Sequence, residues 1–273
     1  SGLTEGSNLD FDILTTRLLA ALPIVSARQP KSVLVVGLGT GYTSAAALTY
    51  GVQTVDTVEI NPAVVGASKL FVGQALSDDD RWHLVVNDAR QYLFTQSRTW
   101  DVITSEPSWP LSTHVSHLFT REFFELAKTH LSEDGVLCQW LPWYLLNPDE
   151  LAMMIKTIHS VFPNTYVFGT TDASAQGNDL WVISVNSDRA LDVDKLLKDA
   201  NATLLTAFET PQSIAQWAGD PSVPLNTDDR PLLEFRTPAI KIKAIQRALL
   251  EFSAYGSGAA QVTTGSPSPT STP

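Results

Sequence analysis

The chain has 273 residues, 44% of them hydrophobic and 17% charged, so it carries apolar material for a large globular core, and intrinsic disorder is excluded for most of its length. Eighteen Lys and Arg against 29 Asp and Glu leave a net charge of −11, which excludes a nucleic-acid binder that works by neutralising phosphates and favours a cationic or neutral small-molecule partner. The single cysteine, Cys138, excludes an internal disulfide and a Cys-based zinc array, and points to a reducing compartment.

In chain order, the apolar residues of Asp12–Ala27 recur at helical spacing and Pro30 closes the segment, which predicts a helical lead-in over residues 1–30. Val33–Gly37 (VLVVG) is a continuous β-branched run ending in glycine, the pattern of a strand buried on both faces. Helices and strands then alternate at βαβ spacing: helix Thr43–Tyr50, strand Thr54–Glu59, a helix opened by Asn61-Pro62, strand His83–Val86, helix Ala89–Thr95, and strand Asp101–Glu106. After an irregular loop come helix Thr120–Leu131, strand Gly135–Leu141 and helix Pro148–Val161. Thr165–Thr170 and Asp179–Val185 read as an antiparallel edge hairpin. The expected fold is α/β, a doubly wound and mostly parallel seven-stranded Rossmann-like sheet, with the main domain over residues 31–253.

Beyond Asn186, helical patterns over Val193–Ala200 and Thr203–Trp217 lead to the polar segment NTDDRPLLEF and a basic amphipathic helix, Ile240–Phe252. Residues 254–273 are rich in Gly, Ser, Thr and Pro without apolar periodicity, which predicts a disordered tail. No apolar run approaches the roughly 20 residues that cross a bilayer, and the first ten residues lack signal-peptide features. The chain itself reads as soluble.

In parallel α/β sheets, ligands bind beyond the carboxyl ends of the strands, and four strand ends here carry chemistry. The turn Gly37-Leu38-Gly39-Thr40-Gly41 follows the first strand and allows close approach of a ligand to the backbone. Glu59, in VEINP at the end of the second strand, stands where a carboxylate either accepts ribose hydroxyls or caps the following helix. Asp88, in VVNDAR, is placed either to receive an adenine amino group or to cap the following helix. Glu106, in DVITSEPSWP, is a candidate general base at the fourth strand end, and Trp109, Trp140 and Trp143 nearby are either core or walls for a cation. His114 and His117 have metal-like spacing, but no further ligand completes a set, and no metal is expected.

These motifs, over about Val33–Tyr144, resemble the class I S-adenosylmethionine-dependent fold and, within it, the spermidine synthase (aminopropyltransferase) family. GLGTG is similar to that family's GGGDGG turn, VEINP to its VEID, NDAR to its adenine motif, and DVITSEPSWP to its DVIIVDSSDP. The resemblance implies a sulfonium nucleoside substrate, S-adenosylmethionine or its decarboxylated form. It implies that Gly37, Gly39, Thr40 and Gly41 cradle the donor, Glu59 and Ile60 hold the ribose, Asp88 and Ala89 the adenine, and Glu106 acts as base. SEPSWP, LFTREFFE, VLCQWLP and NTDDRPLLEF look closer still to a bacterial branch fused behind a membrane-spanning, transporter-like region. That likeness implies a cytoplasmic domain cut from an inner-membrane protein, with a second copy of the chain as a candidate partner.

Departures from the family pattern qualify the chemistry. The Asp that holds the acceptor diamine falls on Trp109, and the Asp near the donor's aminopropyl chain falls on Thr40, so the site is open to intact S-adenosylmethionine. Asp228 and Asp229 are candidates either to restore acidity around an amine or to pair with Arg230 in a turn. Three outcomes stay open: release of methylthioadenosine by alkyl transfer to an amine or by cyclisation of the donor, methyl transfer on the same fold, and nucleoside binding without turnover.

Overall fold

A computed structural model describes residues 6–108, 110, 115–170 and 179–236. Trp109, His114, the expected helix Ile240–Phe252 and the tail from residue 254 lie outside them. The described elements are α1 (Asp10–Ser26), β1 (Ser32–Val36), α2 (Tyr42–Thr49), β2 (Thr54–Glu59), α3 (Pro62–Val72), β3 (Trp82–Val86), α4 (Ala89–Thr95), β4 (Trp100–Ser105), α5 (Arg121–Thr129) and β5 (Leu131–Pro142). They continue with α6 (Pro148–Val161), β6 (Thr165–Thr170), β7 (Asp179–Val185), α7 (Val193–Asp199), β8 (Leu205–Glu209) and α8 (Pro211–Trp217).

The strands form one sheet in the order β3-β2-β1-β4-β5-β7-β6-β8. β1 to β5 pair in parallel, while β7 runs antiparallel to both β5 and β6. The α/β class and the antiparallel edge are as expected, but the described sheet has eight strands. The extra one, β8, lies where the spacing predicts a helix over Thr203–Trp217. Pro211 accounts for the difference: it stands at the first turn of α8, where its missing N–H costs nothing, so the helix starts there and the preceding LTAFE pairs with the edge strand β6.

Both sheet faces are covered. On one face α1 packs Leu18, Leu19 and Leu22 against Val136, Cys138 and Trp140 of β5, and Ala20 and Ile24 against Val33 and Val35 of β1. The other face carries α4, α5 and α6, whose Leu93, Phe123, Phe124, Met153 and Ile158 meet Ile103 and Leu137. A sheet covered on both sides leaves its carboxyl edge as the place for a ligand. Helices begin at that edge with polar caps: the side chain of Asn61 accepts the Ala63 N–H, and that of Asp88 the Gln91 N–H. Among the described residues, no helix is long and apolar enough to cross a membrane.

Candidate active site

The carboxyl ends of the central strands, the first turns of α1 and the start of β7 enclose a cavity of about 540 Å³. Backbone hydrogen bonds carry the ladders one residue past the strands and align the strand ends. Gly37 N–H donates to the Val58 carbonyl at 2.9 Å, Asn87 N–H to the Glu59 carbonyl at 3.0 Å, and Glu106 N–H to the Val36 carbonyl at 3.1 Å. Glu59, Asp88 and Glu106 all line the cavity.

At one end the glycine turn has Gly37 at φ +94° and Gly39 at φ +51°, left-handed values suited to glycine. A Cβ on Gly37 would lie 2.6 Å from the Glu106 carbonyl oxygen, so this glycine lets two strand ends close on each other. Gly37→Ala is expected to lower unfolding free energy by about 1–3 kcal/mol from backbone strain alone. Gly39→Ala, with nothing within 4 Å of its Cβ, is expected to cost less in the same denaturant titration.

Glu59 is buried and braces this turn. Its Oε2 accepts the Leu38 N–H at 2.9 Å and its Oε1 the Asn61 N–H at 2.8 Å, so one carboxylate orders the turn and caps the approach to α3. Each oxygen keeps a lone pair for a further donor. Asp88 caps α4 with Oδ1, while Oδ2 lies 3.4 Å from His117 Nε2. Gly39, Thr40, Ile60 and Ala89 also line the cavity; Gly41, at the start of α2, does not.

At the other end stands Glu106. Burial pushes its carboxyl up to about 8, opposed by a hydrogen bond from Thr43 and reinforced by Asp179 and Asp12. Thr43 Oγ1 lies 3.1 Å from Glu106 Oε2 and 3.2 Å from the Thr16 carbonyl, so its one proton is shared between them. Asp179 is buried with Oδ1 accepting from Trp140 Nε1 at 2.9 Å and Oδ2 from Thr15 Oγ1 at 2.6 Å. Burial raises its carboxyl as well. Asp12 accepts from Ser7 Oγ, and Tyr144 completes this wall. In all, the described lining holds five acidic side chains, Asp12, Glu59, Asp88, Glu106 and Asp179, of which Glu106 is held mostly protonated at neutral pH, and no lysine or arginine. Such a cavity favours a cation.

Residues 13–195 match the spermine/spermidine synthase domain. The chain belongs to the spermine/spermidine synthase family. A polyamine aminopropyltransferase of Thermoanaerobacter sp. (strain X514) is 26% identical over 199 residues, covering 71% of this chain and 70% of that protein. Putrescine N-methyltransferase 2 of Nicotiana attenuata is 29% identical over 160 residues, covering 57% of this chain and 43% of that protein. A crystal structure of a spermidine synthase in complex with the transition-state analogue AdoDATO has a TM-score of 0.59 at 23% identity, covering 77% of this chain and 73% of that one. That likeness speaks for the shared fold.

Within this family member, the candidate acids Asp228 and Asp229 fall outside the described lining. Asp228 is held by Arg90, whose guanidinium keeps its carboxyl below the usual range. Asp12 and Asp179 line the cavity instead. Sequence position hides this pair, yet a signal exists: β7 runs antiparallel and starts at the edge where the parallel strands end, so its first residue, Asp179, lines the cavity. Trp140 is both core and cavity wall, whereas Trp143 is exposed and packs edge-on against Phe208. Among the described residues, no three His, Cys, Asp or Glu side chains are grouped to hold a metal.

Proposed function

We propose that this chain is an alkyl transferase that binds decarboxylated S-adenosylmethionine, passes its aminopropyl group to an amine, and releases methylthioadenosine. The observation that carries this reading is the described lining of five acidic side chains, Glu106 among them, without a lysine or arginine. Glu59 and the glycine turn would hold the ribose, and Asp88 the adenine. Asp12 and Asp179 would face the ammonium groups of donor and acceptor.

In the transfer step the acceptor nitrogen attacks the carbon next to the sulfonium. The carbon–sulfur bond breaks, its electron pair returns to sulfur as a neutral thioether, and the nitrogen's proton passes to Glu106. If no acceptor is bound, the donor's own amine can play the nucleophile. Thr40, a neutral side chain, opens the site to a donor carboxylate on local charge alone. Asp12 and Asp179 argue the other way, because such a carboxylate would meet like charges and no described lysine or arginine.

The Nicotiana relative keeps methyl transfer from S-adenosylmethionine as a second reading. The two differ in their donor. Release of methylthioadenosine is expected to be about 100-fold more efficient from the decarboxylated donor than from the intact one, given a cost of several kcal/mol for opposed like charges. Equal kcat/KM for both donors would contradict the assignment. The setting we infer, beside a transporter-like membrane region in the cytoplasm, rests on the sequence phrases quoted above.

A further inference from the structure

The polar segment NTDDRP is a motif that the transfer chemistry does not use, and the structure ties it to the nucleoside end. Asn226 is fully buried and makes four hydrogen bonds: its N–H donates to Thr157 Oγ1 at 3.0 Å and its Nδ2 to the Phe119 carbonyl at 3.0 Å, while its Oδ1 accepts the Leu233 N–H at 3.1 Å and its carbonyl the Arg121 N–H at 2.9 Å. This pins the turn against the start of α5. From the turn, Asp228 grips Arg90 with both oxygens, at 2.9 and 2.6 Å, and its N–H donates to Glu122 Oε2 at 2.8 Å.

Arg90 sits in the first turn of α4, two residues after Asp88. Its Nη1 also reaches the His117 carbonyl at 3.2 Å, and the His117 ring faces Asp88 Oδ2. One guanidinium therefore joins α4, the turn at Ser116–Phe119 and the NTDDRP turn. Bidentate geometry sets it apart from a loose surface ion pair, although the Asp228 side chain is 39% exposed against 20% for Arg90.

We propose that Arg90 and Asp228 are positioning residues for the purine. Through His117 they hold the Asp88 carboxylate with Oδ1 committed to the helix N–H and Oδ2 against the His117 ring at the cavity wall, and so set a preference for a 6-amino over a 6-oxo purine. A 6-amino group donates to a carboxylate; a 6-oxo group opposes it with lone pairs. This inference rests on the nucleoside site of the proposed function.

The test is calorimetric titration of methylthioadenosine and methylthioinosine into the wild type, Asp228→Asn and Arg90→Lys. The wild type is expected to prefer methylthioadenosine by about tenfold or more. Both variants are expected to shrink that ratio by about threefold or more, with the loss confined to the adenine nucleoside. If Asp228→Asn does not fold, Arg90→Lys, which keeps the charge and loses the fork, reads the same ratio. An unchanged ratio, or an equal loss for both nucleosides, overturns the positioning role. A wild type that binds neither nucleoside overturns instead the site reading on which the role rests.

Discussion

Glu106→Gln is expected to lower methylthioadenosine formation about 10²–10⁴-fold, the range for loss of a general base, while nucleoside affinity changes little. The amide keeps the shape and the hydrogen bond with Thr43 but cannot take a proton from an ammonium-derived nucleophile. A pH signature goes with it. Since burial holds the Glu106 carboxyl at about 8, the wild-type kcat/KM is expected to rise with pH through that value, and the variant's profile to lose this limb. A cationic donor stabilises the carboxylate, so the corresponding limb in kcat should lie at lower pH.

Stability is linked to the same proton. The folded carboxyl at about 8 lies above the ordinary value of 4.5, so the folded chain keeps a proton that the unfolded chain has released. This contribution is fully present below about 4.5 and is lost as pH rises to 8. Thermal melts of the wild type should therefore fall over that window, and those of Glu106→Gln should fall less. A variant with normal turnover and an unaltered pH profile would remove Glu106 from the chemistry.

Glu59→Ala is the second large effect. The side chain is buried and takes the N–H groups of Leu38 and Asn61, so its loss leaves two backbone donors without this partner as well as removing the proposed ribose acceptor. Methylthioadenosine binding is expected to weaken by about 1–3 kcal/mol, the scale of a lost charged hydrogen-bond partner. Glu59→Gln should not rescue fully, because an NH₂ group would then face one of the two N–H donors. Calorimetry on the variants checks both statements, and unchanged affinity would place the ribose elsewhere.

The central half of the fold is legible in the sequence because strands buried on both faces must be apolar throughout, and VLVVG and DVITSE have no other easy reading. Their ends place Gly37, Glu59, Asp88 and Glu106 at one edge by topology alone. The rest depends on contacts between distant segments. Asp12 and Asp179 are far apart in the chain and meet only because α1 lies across β4 and β5 and because β7 runs against its neighbours. β8 hides within a helical spacing, and its one signal is Pro211, which cannot continue a helix begun at Thr203. Asp228 reads either as an acid near an amine or as the partner of Arg230 in a turn, but tertiary packing hands it to Arg90 of α4.

The central claim is that this cavity moves an aminopropyl group from a cationic donor to an amine. Mass spectrometry of both products, after incubation of the wild type with a diamine and each donor in turn, tests it most directly. The account predicts methylthioadenosine together with a diamine that has gained an aminopropyl unit, from the decarboxylated donor. A methylated diamine with S-adenosylhomocysteine, from the intact donor, would contradict it.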